Sequence, residues 1–484
     1  MAGIVSFGAY IPYSRLPRSV IKTAWGGSGG RGERSISGID EDAITMAVNA
    51  GMDCLHGLDS KTVGALFFAT TTAPYKERLN ATIVATALDF PKDARNTDFC
   101  NCLRAGTGAL MAAVDAVKAK TLQSVLVATA DNRLAGANSE MEPLFGDGAA
   151  ALLIGEKNVA AEIEGTHTIS ADIVDYWRAH DDTYVRSWED RFGVEQGYNK
   201  IPVEAAAEVL KKCKLQPKDI SKVCLYGVET RRHAELGKIM GFTPEQMQDP
   251  LLDVVGDTGT PLSIMLLIAA LEKAKVGDRL LVVSWGNGAD ALVLRVTEHL
   301  AKIKGRRGIQ GHLQAKRQIN TFGRYLLWRD MVSKTPSYLV RGMGVSMAAE
   351  WREKYTGLPL YGVKCLKCGT VQLFLNPAST RARICLECQA KDNFEPYRFA
   401  EKKGTVVTFS HDYLGGGIDP PITRTVIDFD GGGRGMFEMS DYDPNECKVG
   451  MKVEMTFRTR GYENGVHAYC WKCKPVREQN KGGN

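Results

Sequence analysis

The chain has 484 residues, of which 24% are charged and 44% hydrophobic, and its formal net charge is +5. This length predicts about two to four domains of ordinary globular composition. The mild charge argues against a nucleic-acid-binding protein, and no apolar run is long enough to cross a membrane. The N-terminus lacks the pattern of a secretory signal, so the twelve cysteines predict a protein of the reducing cytoplasm.

Residues 1–297 alternate apolar, β-rich runs with helical patterns, which predicts an α/β layered fold. Two segments, 98–155 and 253–296, share one order: a strand, a Gly/Thr turn, an apolar helix, a strand, a Gly-rich turn and a strand. The helix pattern at 263–271 is apolar on every side, so it should lie buried between layers. We predict an internal duplication around a central helical layer; the alternative is ordinary α/β repetition.

Residues 298–350 begin with a basic connector and continue with two amphipathic helical patterns. The basic residues are Lys302, Lys304, Arg306, Arg307, Lys316 and Arg317. They fit a solvated linker and, alternatively, a contact for ligand phosphates.

Four cysteines carry the strongest motif of the chain: Cys365, Cys368, Cys385 and Cys388. Two C-x2-C pairs, each in a tight turn, can present four thiolates to one tetrahedral Zn2+ ion. A closed four-thiolate site has no open position for substrate, so this zinc should be structural. The alternative is four unrelated buried cysteines.

Residues 400–478 contain five β-like runs separated by Gly and Pro turns, a pattern typical of a small OB-type barrel. Cys470 and Cys473 form a further C-x2-C pair, but inside a predicted strand, where they face opposite sides of the sheet. We interpret them as strand residues rather than a second metal site. OB folds often bind oligonucleotides, yet acidic residues flank the aromatic ones here, which favours docking on the first domain.

Several ordered blocks of the chain resemble the archaeal and bacterial type of 3-hydroxy-3-methylglutaryl-CoA synthase. The blocks are GIVSFGAYIPYSRL (3–16), ERSISGIDEDAITMAVNAGMDCL (33–55), APYKERLNATIVATAL (73–88), GDGAAALLIG (146–155) and VGDRLLVVSWGNGADAL (276–292). The resemblance implies a duplicated thiolase fold with α/β/α/β/α layers over residues 1–330. The following ribbon and barrel resemble the zinc-ribbon/OB-fold proteins that accompany thiolase-fold enzymes.

With this resemblance, the predicted domains are a thiolase-like N-terminal half (1–158), a C-terminal half with the basic connector (159–330), a helix with the zinc ribbon (331–398) and the OB barrel (399–478). Residues 479–484 should be a disordered tail.

The resemblance also implies a nucleophilic cysteine at the start of the central helix, but the transfer is not clean. Counting back from Gly106 and Thr107 puts Leu103 at that position, and Cys102 falls one residue early. A one-residue bulge would restore Cys102 as the nucleophile; otherwise it is a small packing residue. Cys100, three residues early, is interpreted as packing.

The other family positions also differ. Thr71 occupies the place of the general acid/base Glu, Tyr226 that of the His, and Asp257 that of the Asn. Tyr226 and Asp257 can still exchange protons, or are structural relics. Glu77 and His233 are the nearest residues of the expected types, but they lie too far along the chain.

The Gly-rich turn at Gly286 and Gly288 does match the family, and it implies a backbone N–H that holds the thioester oxygen. In the first half, Gly148 matches its structural counterpart.

Three functions follow from the resemblance. The first is Claisen-type acyl transfer on acyl-CoA through Cys102. The second is a retro-aldol lyase acting on a β-hydroxyacyl-CoA through Asp257 or Tyr226, with no acyl-enzyme. The third is a non-catalytic acyl-CoA-binding subunit of a thiolase-type complex. The implied ligands are coenzyme A, as part of the substrate, and zinc; a homodimer is expected, with 96–100 as its edge strand.

Overall fold

The computed structural model describes residues 2–179, 181–227, 229–333, 346–373, 383–414 and 419–477. Its contacts divide the chain into two compact units. The first contains Met1–Gly38, Asp42–Ala85 and Phe90–Phe322; the second contains Ile39–Glu41, Thr86–Asp89 and the chain from Gly323 onward. The finer division into four domains remains a prediction, and the tail predicted to be disordered lies outside the described residues.

Most strands of the first unit form one sheet, and helices flank it. Its strands are β1 (Gly3–Tyr10), β2 (Ser14–Pro17), β3 (Glu33–Ile36), β4 (Ala65–Thr70), β5 (Arg95–Cys100), β6 (Ser124–Asp131), β7 (Gly148–Gly155), β8 (Ala161–Ser170), β9 (Tyr176–Trp177), β10 (Arg186–Ser187), β11 (Lys222–Leu225), β12 (Arg279–Trp285), β13 (Gly288–Val296) and β14 (Arg317–Gln318). Its helices are α1 (Arg18–Ala24), α2 (Ala43–Leu55), α3 (Asn80–Ala87), α4 (Ala105–Lys118), α5 (Asp190–Phe192), α6 (Ile201–Cys213), α7 (Thr230–Ile239), α8 (Leu262–Leu271) and α9 (Gly308–Gln314), with a π-helix at Gly193–Tyr198.

The sheet has nine strands in the order β11-β12-β13-β8-β1-β7-β6-β4-β5. Reading outward from its centre, β1-β7-β6-β4 and β8-β13-β12-β11 have the same connectivity, and β1 joins β8 through two residue pairs. The predicted duplication is therefore confirmed. The expected edge strand β5 ends the first half; its counterpart is a single parallel bridge from Val223 to Met247.

The prediction of one strand of the duplication is wrong. The sequence pattern predicts a strand at 253–255, before the second buried helix, but in the structure this segment forms turns. Its carbonyl groups accept hydrogen bonds from β3 instead, Asp253 from Glu33 and Val255 from Ser35. These carbonyls bond to β3 outside the main sheet, so no edge strand forms there.

The helices complete five layers. Helix α2 packs against β1, β6 and β7, and α6 packs against β8, β12 and β13. Helices α4 and α8 contact each other between the two halves of the sheet. All ten residues of α8 are buried, as its all-apolar pattern predicted.

The basic connector is ordered. It contains a 3-10 helix (Glu298–Lys302), α9 and β14, and the Arg306 guanidinium donates to Ser6 Oγ and to the His56 carbonyl. The basic run is therefore part of the folded first unit and not a loose linker.

The second unit contains a three-stranded ribbon followed by a five-stranded barrel sheet. Its elements are α10 (Phe322–Trp328), α11 (Met347–Arg352), α12 (Lys354–Gly357), β15 (Tyr361–Cys365), β16 (Val371–Gln372), β17 (Phe394–Arg398), β18 (Lys403–Asp412), β19 (Ile422–Phe429), β20 (Arg434–Glu438), β21 (Lys452–Glu463) and β22 (Val466–Pro475). The barrel order is β20-β19-β18-β21-β22, and a parallel bridge from Met439 to Cys473 closes it. The predicted OB topology is confirmed.

Cys470 and Cys473 lie in β22, as predicted. They pair with different residues of β21, and Cys473 is fully buried whereas Cys470 is half-buried. Within the described part of the chain, no helix combines the length and the hydropathy that a bilayer span needs.

Candidate functional site

The segment before α4 brings Cys102 to the Gly-rich turn. Asn101 adopts a left-handed conformation with φ of 69°, and the Cys102 thiol donates to the Gly286 carbonyl, with Sγ and O 3.2 Å apart. Leu103 packs against the hydrophobic core. Burial raises the pKa of the Cys102 thiol, against a hydrogen bond from the Arg104 backbone and the Arg104 charge, and the charges of Asp290 and Asp175 add to the rise. A raised pKa disfavours the thiolate, which is the form that acts as a nucleophile.

The turn itself approaches the start of α4 closely. Gly286 has a φ of 153° and Gly288 a φ of 120°. A Cβ on Gly286 would lie 3.0 Å from the Cβ of Leu103, and one on Gly288 would lie 2.0 Å from the Ile169 carbonyl oxygen, so glycine is required. The Gly286 amide donates to the Gly288 carbonyl at 3.0 Å. An oxyanion role for these two amides remains a prediction.

An ion pair between the half-buried Arg104 and the buried Asp290 holds the turn against α4. Arg104 Nε donates to the Gly286 carbonyl at 2.9 Å, and Arg104 Nη1 lies 3.0 Å from Asp290 Oδ1. Asp290 is fully buried and also accepts from Thr107 Oγ1 at 2.7 Å and Thr168 Oγ1 at 3.0 Å. This pair has no local signal in the sequence, because the two residues are 186 positions apart.

Tyr226 and Asp257, which both occupy family site positions in the sequence, lie next to each other in the structure. The Tyr226 hydroxyl donates to Asp257 Oδ1 at 2.9 Å, the Gly259 amide donates to the same oxygen at 2.9 Å, and Arg133 Nη2 lies 2.5 Å from Asp257 Oδ2. All three side chains of this triad are buried, and the Arg133 guanidinium stacks over the Phe145 ring. Burial, and after it the Asp257 charge, raises the pKa of Tyr226 well above its ordinary value.

The place of the family's Glu is occupied by a threonine cluster around Asp131. This buried carboxylate accepts hydrogen bonds from Thr70 Oγ1, Thr71 N, Thr71 Oγ1, Thr72 Oγ1 and Thr260 N, at 2.7–2.9 Å. Five donors leave the carboxylate saturated, so it organises the loop. Glu77 is exposed, and His233 is buried in α7.

One carboxyl in this region was not selected from the sequence. Asp175 follows β8, and its Oδ2 accepts from Trp285 Nε1 at 2.6 Å while its Oδ1 accepts from the Tyr176 amide at 2.6 Å. Burial raises the pKa of Asp175, against the opposing effects of these two hydrogen bonds and the Arg133 charge. The sequence carries one signal for Asp175: it lies in the segment 170–198, a loop that we predict from the sequence to shape the acyl pocket.

That same loop walls a cavity of about 740 Å³. Its apolar lining is Met141, Ile173, Val174, Trp177, Trp188 and Phe192. In the sequence, Arg178 of this loop is a candidate contact for a carboxylate or phosphate, or a helix cap; in the structure its guanidinium donates to the Thr71 carbonyl. His180 of this loop lies outside the described residues.

The four ribbon cysteines converge. Their sulfur atoms all lie within 4.8 Å of one another, with Cys365 and Cys388 at 3.7 Å and Cys368 and Cys385 at 3.5 Å. The Gly369 amide donates to the Cys365 carbonyl and the Gln389 amide to the Cys385 carbonyl, which closes the two turns. The donor set suits a tetrahedral, thiophilic metal ion.

Known proteins resemble both units. A hydroxymethylglutaryl-CoA synthase of Methanopyrus kandleri is 30% identical over 335 residues, covering 67% of this chain and 95% of that protein. The corresponding protein of Pyrococcus furiosus is 32% identical over 293 residues, covering 59% and 83%. A family model for the C-terminal OB-fold domain of ChsH2 matches residues 397–458.

Solved structures have the same fold. A structure of HMG-CoA synthase complexed with CoA has a TM-score of 0.62 at 18% identity, covering 70% of this chain and 92% of that one. A 3-oxoacyl-[acyl-carrier-protein] synthase III from Aquifex aeolicus has a TM-score of 0.55 at 21% identity, covering 61% and 100%. The fold is thus the thiolase fold, followed here by a cysteine ribbon and an OB fold. The chain belongs to the hydroxymethylglutaryl-CoA synthase family.

Proposed function

We propose that this protein makes or breaks a carbon–carbon bond in an acyl-CoA thioester without an acyl-enzyme. The reaction is retro-aldol cleavage of a β-hydroxyacyl-CoA, or the reverse addition. The Tyr226–Asp257–Arg133 triad carries this proposal, since it provides a hydroxyl and a carboxylate in direct hydrogen-bond contact. The Cys102 thiol also supports it, because burial raises the pKa of this thiol and its hydrogen bond goes to the Gly286 carbonyl.

In the cleavage direction, the β-hydroxyl of the substrate gives its proton to the Tyr226 oxygen as Tyr226 passes its own proton to Asp257. The Cα–Cβ bond then breaks, its electron pair moves onto the thioester as an enolate, and Cβ leaves as a carbonyl. Arg133 holds the Asp257 carboxylate in place. The enolate must finally gain a proton at Cα.

Claisen-type acyl transfer through Cys102 is the second candidate. It is favoured by one observation, the contact between Cys102 and the turn expected to hold the thioester oxygen. It requires the thiol to lose its proton and its hydrogen bond to Gly286. A non-catalytic acyl-CoA-binding subunit is the third candidate.

The variants C102A, D257N and Y226F separate these candidates on a panel of β-hydroxyacyl-CoAs that includes 3-hydroxy-3-methylglutaryl-CoA. We expect C102A to cleave within about threefold of the wild type, and D257N and Y226F to lose about 100-fold or more. Product formation and intact-protein mass are measured, with C213A as a matched cysteine control. Loss of turnover in C102A together with an acyl-enzyme mass in the wild type would establish acyl transfer instead. Activity that appears only with an added thiolase-type protein would favour the subunit.

We also propose that Zn2+ occupies the four-cysteine site and that it is structural, because all four positions of a tetrahedral ion are filled by thiolates. A homodimer paired along the edge strand β5 is proposed as well, since this strand has a neighbour in the sheet on one side only.

A further inference from the structure

The proposed cleavage leaves one step without a residue, the protonation of the enolate at Cα. We propose that Asp175 is the catalytic carboxyl that exchanges this α-carbon proton. This inference rests on the proposed function, because it presupposes a CoA enolate at the Gly-rich turn. Asp175 would be the third group that exchanges a proton, after Tyr226 and Asp257; Arg133 only holds the Asp257 carboxylate in place.

The position of Asp175 is determined by the residues of the turn itself. Trp285, which donates to Asp175 Oδ2, immediately precedes Gly286. Asn287 fastens the same loop from within the turn, because its Nδ2 donates to the Ile173 carbonyl at 3.2 Å and its carbonyl accepts from the Ala171 amide at 3.2 Å. A thioester carbonyl at this turn has its α-carbon one bond away. Asp175 is therefore anchored to the residue that precedes the turn, and its charge acts on the Cys102 thiol, which itself bonds to Gly286.

The hydrogen bonding of the carboxylates separates Asp175 from its neighbours. Asp131 accepts five hydrogen bonds, and Asp257 has three donors on its two oxygens. Asp175 has one donor on each oxygen and is only half-buried. Among these three carboxyls, Asp175 accepts the fewest hydrogen bonds and is the most exposed, so its oxygens keep the most lone pairs for a further partner.

The surroundings of Asp175 suit a carboxyl that alternates between its two protonation states. Burial raises its pKa, which favours the protonated acid, whereas the Trp285 and Tyr176 hydrogen bonds and the Arg133 charge stabilise the carboxylate. Its loop neighbours Ile173, Val174 and Trp177 line the 740 Å³ cavity, so an apolar acyl group has space close by.

The step balances. In the cleavage direction the Asp175 O–H bond breaks, its proton bonds to Cα, and the enolate electron pair forms the new C–H bond as the thioester C=O is restored. In the addition direction the Asp175 carboxylate removes the same proton. The Asp175 carboxyl thus serves Cα, and the Tyr226 hydroxyl serves the β-oxygen.

The test is the exchange of α-hydrogens of propionyl-CoA for deuterium in D2O, catalysed by the full chain and followed by mass spectrometry. We expect the wild type to exchange the α-hydrogens, and D175N to exchange them at least about 100-fold more slowly. D175E, which keeps a carboxyl, should recover at least about a tenth of the wild-type rate. D181N, an exposed aspartate of the same loop, is the matched control.

A folded D175N that exchanges as fast as the wild type would overturn the role of Asp175 and leave the proposed function standing. A wild type that neither exchanges α-hydrogens nor cleaves any member of the panel would refute the proposed function, and the Asp175 role with it. Thermal melting of each variant establishes that it is folded.

Discussion

Single residues around α4 decide the chemistry. Counting along the chain assigns the nucleophile position to Leu103, and the structure packs that side chain into the core. The left-handed Asn101 brings Cys102 to the turn, yet burial raises the pKa of its thiol. The family's polar residues are thus replaced by a different set, in which Arg133 neutralises the Asp257 carboxylate beside a phenol.

A buried histidine makes the stability of the protein depend on pH. His233 is 3% exposed, its Nε2 has no hydrogen-bond partner among the described residues, and burial lowers its pKa to about 4. An unfolded histidine takes up its proton near pH ~6.5, so the unfolded state binds more protons between these values. Stability is therefore lost as the pH falls from 6.5 towards 4.

We expect this histidine to cost about 2 kcal/mol of the free energy of unfolding between about pH 7.5 and about pH 5. H233L should remove that part of the pH dependence, measured by urea unfolding at both values. The exposed His56 gives the matched control, H56Q. If the free energy of unfolding depends on pH identically in H233L and the wild type, His233 has the same pKa in the folded and the unfolded state, and the prediction is wrong.

At the scale of elements, the π-helix at Gly193–Tyr198 positions the site. A Cβ on Gly197 would lie 2.7 Å from Trp285 Cη2 and 3.0 Å from Ile173 Cγ2. The missing side chain therefore makes room for the indole that holds Asp175. Tyr198 packs edge-on against Trp285 at 6.2 Å and donates to the Tyr226 carbonyl, so this one turn supports both proposed reacting groups.

G197A should accordingly displace Trp285, lower the free energy of unfolding by about 1–3 kcal/mol and slow α-hydrogen exchange. Denaturant unfolding and the exchange assay measure the two effects. G108A is the control, because a Cβ on Gly108 of α4 meets nothing within 4 Å. Unchanged stability and exchange in G197A would mean that Trp285 is free to move without consequence.

At the scale of the whole molecule, each of the two units is stabilised in a different way. The first has a core built from both halves of the duplication, with α8 at its centre. Within its described residues, the ribbon of the second unit has three short strands, so we expect its fold to depend on an ion bound by the four cysteines.

Zinc removal should therefore affect the second unit selectively. We expect about one zinc per chain by elemental analysis, and a lower melting transition for the second unit after chelation or in C368S. The transition of the first unit should persist, and C447S, which changes a cysteine outside the cluster, should behave as the wild type. A zinc-free protein with an unchanged melting profile would contradict a structural ion.

Local patterns in the chain were sufficient for the elements whose physics is local. The spacing of Cys365, Cys368, Cys385 and Cys388 predicted their convergence, and the all-apolar run of α8 predicted its burial. The five β-like runs predicted the barrel, because strand periodicity and turn residues are read within a few positions. The turn at 253–255 could not be predicted in this way, because its conformation depends on hydrogen bonds from the distant strand β3 to its carbonyl groups.

The site was decided by tertiary structure. Arg133 meets Asp257 across 124 positions, Arg104 meets Asp290 across 186, and Asp175 meets Trp285 across 110. No local period connects such residues. The first two pairs meet because the two halves of the duplication pack against each other, whereas Asp175 and Trp285 meet within the second half, where the loop after β8 returns to the end of β12. The sequence by itself thus determined the family fold and the cysteine ribbon, whereas long-range packing decided which side chains surround the Gly286 turn, because burial and ion pairing depend on neighbours that only the folded chain supplies.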